Sequence, residues 1–69
     1  MDSRTLVYSE NVRIQFIESI LGCSSSVIRK VDGQEYIALS LNRESYDECK
    51  EATLSFCDRM ESKGWLSKK

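Results

Sequence analysis

The stretch SENVRIQFIESILG, residues 9–22, can be read with two different periods, and the choice between them decides the fold. Read as a helix, it has Ser9 as N-cap, Glu10 in the first turn and Gly22 just past the end. Val12, Phe16 and Ile20 then form a stripe at four-residue spacing, with Ile17 and Leu21 beside it. Read as a strand, Val12, Ile14 and Phe16 alternate with Arg13 and Gln15, and the β-branched residues suit a pleated backbone. The closing Ile20-Leu21-Gly22 has the form of a helix stop, and on that signal the segment is expected to be helical.

The segments on either side carry a single reading. Residues 4–9, RTLVYS, form a short strand, because Leu6, Val7 and Tyr8 favour extended structure. Residues 25–41, SSVIRKVDGQEYIALSL, form a β-hairpin about Asp32-Gly33, a dipeptide that supplies positive φ at both turn positions. Counting outward pairs Lys30 with Glu35, Arg29 with Tyr36, Ile28 with Ile37, Val27 with Ala38 and Ser26 with Leu39. One face then collects Ile28, Ile37, Leu39 and Leu41, and such cross-strand pairs contribute roughly 0.2–1 kcal/mol each. Residues 42–64, NRESYDECKEATLSFCDRMESKG, form the longest element. Ser45 and Glu48 have capping-box spacing and Gly64 closes the helix. Tyr46, Cys49, Thr53, Phe56, Cys57 and Met60 fall in one arc about 100° wide, which describes a helix lying on a sheet. Trp65 and Leu66 are expected to fold back as a hydrophobic clasp.

The expected architecture is therefore α+β, a single small domain over residues 1–69. An antiparallel sheet containing the 26–41 hairpin packs against the helix over 43–63, in the order β-α-β-β-α. A four-stranded antiparallel sheet plus one helix is the alternative. A chain of this length buries only roughly 60% of its extended surface, so its stability is marginal.

Three cysteines, Cys23, Cys49 and Cys57, invite a reading as metal or redox centres. Eight helical residues separate Cys49 from Cys57 by about 12 Å. A disulfide needs Cα atoms within about 7 Å, and a shared zinc needs Zn–S bonds of about 2.3 Å, so this pair suits neither. The chain has no histidine to complete a ligand set. The thiols are read as small core hydrophobes, with Cys23, beside Ser24–Ser26, the one expected to be exposed and reactive. No metal and no cofactor is expected.

Composition narrows the function further. Ten basic and eleven acidic residues leave a net charge of −1, a poor start for counterion-releasing contact with nucleic acid. Without histidine there is no Ser-His-Asp or Cys-His arrangement, and LGCSSS lacks the lysine of a phosphate loop. Asp47 and Glu48 sit on the solvated side of the helix, without the burial or cleft that acid–base chemistry needs. The chain is expected not to be an enzyme. No apolar run reaches the roughly 20 residues that span a bilayer. The N-terminus has no secretory pattern, and Met1 reads as the start of a complete small protein or of a cloned fragment. Three unpaired thiols suit the cytoplasm.

Two surfaces remain as candidates. On the helix, Asp47, Glu48, Glu51 and Asp58 collect opposite the apolar arc, as a solvated face or as a docking strip for a basic partner. On the hairpin, Val27, Arg29, Val31, Tyr36 and Ala38 share the other face, covered by the first helix or used as a partner or dimer interface. The expected function is a non-enzymatic protein-binding module that occludes a surface or serves as a regulatory or inhibitory adaptor. Its partner is a protein with a basic surface, with a homodimer also open and no membrane contact. The alternative is a nucleic-acid-binding domain using Arg13, Arg29, Lys30 and the C-terminal lysines Lys63, Lys68 and Lys69.

Overall fold

A computed structural model describes residues 2–64. Its elements are β1 (Asp2–Ser9), β2 (Val12–Ser19), β3 (Gly22–Val31), β4 (Gln34–Arg43) and α1 (Tyr46–Ser62). The strands form one antiparallel sheet in the order β1-β2-β3-β4, with α1 packed on one face. The β-α-β-β-α order is thus wrong, and the four-stranded alternative describes the chain. The proposed clasp at Trp65 and Leu66 lies outside the described residues.

Residues 12–19 form a strand because their buried positions alternate. Val12, Ile14 and Phe16 point into the core at 3%, 0% and 0% exposure, while Arg13 and Gln15 are only half-buried between them. A helical stripe through Val12, Phe16 and Ile20 would instead have buried Ile20, which stands fully exposed. The Ile20-Leu21-Gly22 signal was a turn. Gly22 takes a φ of +131°, and a Cβ there would meet the Arg43 carbonyl oxygen at 2.5 Å. Only glycine lets the end of β4 pass so close.

The hairpin between β3 and β4 turns at Asp32 (φ 52°) and Gly33 (φ 82°). Lys30 pairs with Glu35, Arg29 with Tyr36 and Ile28 with Ile37, as counted from the turn. Beyond Ile37 the register shifts: Val27 pairs with Leu39 and Ser26 with Ser40, so Ala38 is an extra residue in β4. This bulge changes which face the later residues of β4 occupy. Leu39 and Leu41 pack against the core, whereas Ile37 is 69% exposed. The apolar face expected for Ile28, Ile37, Leu39 and Leu41 is therefore divided between the two sides of the sheet.

Helix α1 starts where its cap predicts, with the Ser45 hydroxyl accepting from the Glu48 N–H at 3.3 Å. Cys49, Thr53 and Cys57 form its buried stripe, flanked by Tyr46, Leu54, Phe56 and Met60. Phe16 meets Tyr46 edge to face at 5.1 Å, and Arg4 lies over the Tyr46 ring at 4.3 Å while pairing with Glu18 at 3.0 Å. Beneath the helix, Thr53 donates its hydroxyl hydrogen to the Cys49 carbonyl at 2.6 Å. That hydrogen is then used, so Ser25, 2.6 Å away, donates to Thr53. A polar chain of this kind satisfies every buried group it contains and fixes α1 against β3.

Candidate functional site

The cysteines settle into packing. Cys23, Cys49 and Cys57 are all free and buried. The expectation that Cys23 is exposed is wrong, since alternation along β3 points it inward with Ser25 and Val27 at 2% exposure. Burial pushes the Cys23 thiol up to about 11, helped by a hydrogen bond to the Cys49 thiol, and burial pushes Cys57 to about 11 as well. Thiols held protonated in this way are poor nucleophiles and poor metal ligands.

The hairpin surface is rearranged. Val27 is wholly buried beneath the helix and offers nothing to a partner. Arg29 pairs with Val12 across the sheet, so Arg29 and Tyr36 belong to the helix side and stand exposed at the β3–β4 turn end. Tyr36 donates its hydroxyl to Gln34 at 2.8 Å, and Val31 is half-buried opposite Gln34. Lys30 alternates with Arg29 onto the opposite face, so these basic residues do not form one patch. Arg13 forms an ion pair with Glu35. The guanidinium's hydrogen bond holds the Glu35 carboxyl below its ordinary range.

The acidic helix residues Asp47, Glu48, Glu51 and Asp58 are all exposed, yet three of them have local tasks. Asp47 and Glu48 occupy the first turn of α1, where negative charge complements the helix dipole. Asp58 accepts the Tyr8 hydroxyl at 2.8 Å. Burial, then Asp58, hold that phenol well above the ordinary tyrosine range. Glu51 lines a shallow groove with Arg43, Glu48, Ala52 and Ser55.

The most conspicuous surface feature lies where the helical period of residues 9–22 predicts a buried stripe. Ile20 is 102% and Leu21 93% exposed, at the tip of the β2–β3 turn. Neither residue takes a positive φ, since that role falls to Gly22. Turn geometry therefore asks for no particular side chain at positions 20 and 21, where polar residues are the usual choice. The tip lies beside the start of the helix: a Cβ on Gly22 would also lie 3.6 Å from the Cα of Glu44. Asp2, Glu18 and Ser19 flank Ile20, and Ser19, Ser24, Asn42 and Arg43 flank Leu21. An aliphatic tip in a mainly acidic setting is the result. The sequence signal that could have revealed it was the β2 alternation, which ends before Ile20.

The face of the sheet opposite the helix is read from its cross-strand rows. Thr5, Gln15, Ser26 and Ser40 form one row, and Ser3, Ile17, Ser24 and Asn42 another. A third runs Val7, Arg13, Ile28, Ile37. Most of this face is hydroxyl and amide, as suits the solvated side of an antiparallel sheet. Among the described residues no helix is long and apolar enough to cross a membrane, and no cluster of three or more histidine, cysteine or acidic residues is placed to hold a metal. No family model, curated protein or solved structure matches this chain.

Proposed function

We propose that this chain is a small non-enzymatic protein-binding module that acts by covering a surface of its partner, with Ile20 and Leu21 as the anchor. The observation that carries this reading is the complete exposure of two large aliphatic side chains at a turn that does not need them. Burying each one in a partner's pocket is worth about 1.5–3 kcal/mol, enough for a pair to dominate a small interface. Glu44, Asp47, Glu48 and Glu51 lie on or near the same end and would steer the module toward a basic rim around that pocket. Arg29 and Tyr36, at the far end of the sheet, are secondary contacts at most. The cytoplasm suits three reduced, buried thiols.

Nucleic-acid binding is the weaker reading, because Arg29 and Lys30 fall on opposite faces and Arg13 is held by Glu35. Site-specific photocrosslinking separates the two. A crosslinker at position 21 is expected to trap one protein partner in extract of the native cell. The same group at Glu10, at the opposite end of the sheet, is expected to trap far less. Equal trapping at both positions, or adducts with nucleic acid alone, would remove the basis for the proposal.

A further inference from the structure

We propose that the open face of the sheet packs against the open face of a second copy of this chain, forming a weak symmetric dimer. The inference rests on the Val7–Arg13–Ile28–Ile37 row and is independent of the hairpin-tip anchor. Val7 is 74% and Ile37 69% exposed, and Ile28 lies between them in the same row. Val7, Ile28, Arg13, Lys30 and Glu35 also line one shallow depression.

The order of the row makes it complementary to itself. Turned about a two-fold axis parallel to the strands, Val7 meets Ile37 of the second copy, and each Arg13 lies over an Ile28. The Arg13 stem covers that isoleucine while its head stays with Glu35, as long cationic side chains commonly do. The neighbouring row, Thr5-Gln15-Ser26-Ser40, meets its own reverse, hydroxyl against hydroxyl or amide. Arg13 and Glu35 compensate each other, and each face keeps the single charge of Lys30 at its β3–β4 turn end, where a long side chain can carry its head out to solvent. Aligned sheets pack in this manner about 10 Å apart.

Area and edges point the same way. Four strands about 4.8 Å apart and about eight residues long present roughly 500 Å² per copy. Two faces together come to roughly 1,000 Å², the lower bound for a specific interface, which suits a weak, reversible dimer rather than an obligate one. Pairing through the sheet edges is blunted instead. β1 is irregular between Val7 and Ser9, and β4 bulges at Ala38, a device that discourages edge-to-edge addition.

Sedimentation equilibrium from micromolar to near-millimolar protein is the first test, with circular dichroism confirming that each variant folds. The wild type is expected to show a reversible monomer–dimer equilibrium. Ile37→Lys is expected to weaken it by about tenfold or more, and Arg59→Gln, exposed on the helix, to leave it unchanged. The Val7→Cys, Ile37→Cys double variant then tests the geometry. Facing positions on sheets about 10 Å apart lie beyond a disulfide's reach, and within one chain the two positions are three strand spacings apart, about 14 Å, so a short bismaleimide that bridges the first gap and not the second is expected to give a covalent dimer. Either single variant should give much less. A wild type that stays monomeric at every concentration overturns the proposal, whether or not some other protein occupies the row. So does a dimer that survives Ile37→Lys, or one that the double variant fails to link.

Discussion

Thr53 and Ser25 show how much of the packing hangs on single hydroxyls. Thr53→Val removes the acceptor for Ser25 and leaves a buried hydroxyl without a partner, which is expected to cost about 1–3 kcal/mol in urea unfolding. Adding Ser25→Ala removes the stranded group, so the double variant is expected to recover much of that loss. A double variant no better than the single one would mean that the pair is not linked as described. The thiols give a second test at this scale. Cys23 and Cys57 have folded-state values of about 11, above the ordinary 9.0. A group raised by folding adds stability that is whole below the unfolded value and is lost as pH climbs to the folded one. The loss therefore falls between pH 9 and about 11, at up to about 1.4 kcal/mol per pH unit for each thiol. Tyr8, shifted the same way by burial and Asp58, extends the loss to higher pH. The thermal midpoint is expected to fall across that window, and Cys57→Ala to make the fall shallower. A flat midpoint would place the thiols outside the core.

Glycine positions separate two kinds of cost within the strands and turns. At Gly22 a side chain meets both an unfavourable φ and the backbone oxygen of Arg43, so Gly22→Ala is expected to destabilise by roughly 1–3 kcal/mol. At Gly33 nothing lies within 4 Å, so Gly33→Ala meets only the backbone cost, about 1 kcal/mol. Thermal melts that ranked the two in the opposite order would argue against the close passage of β4. Helix α1 and the hairpin turn were legible because their signals are local: a cap at Ser45, a stripe at Cys49, Thr53 and Cys57, and a turn dipeptide at Asp32-Gly33. Residues 9–22 were not, because Val12, Ile14, Phe16 and Ile17 satisfy both periods in part. Only the partner strands β1 and β3 decide between them. The Ala38 bulge was equally hidden, since nothing in the residues around Ala38 marks the extra position. It carried Ile37 to the open face and with it the surface now most relevant to self-association. The tip at Ile20 and Leu21 is hidden for the same reason, since the helical period puts Ile20 in an apolar stripe and Leu21 beside it.

Across the whole molecule, one helix covers one face of a four-stranded sheet, and the aliphatic residues left over divide into two sets. Val7, Ile28 and Ile37 lie at one end of the open face, and Ile20 and Leu21 form the tip at the other end. A domain this small has little surplus stability, so exposed aliphatic residues that contribute nothing to its core call for a role in contact. The carboxylates on the back of α1 are better explained as helix-terminal charge and a Tyr8 acceptor, with Glu51 left to steer association. Glu51→Lys is expected to slow partner association, increasingly so at low salt, without changing the melting temperature. The most direct test of the central claim, that the β2–β3 tip is the protein-binding anchor, is quantitative capture with the Ile20→Asn, Leu21→Asp variant. It is expected to melt at or slightly above the wild-type temperature and to lose the partner that the wild type retains. A variant that folds equally well and captures the same partner to the same extent would contradict the account.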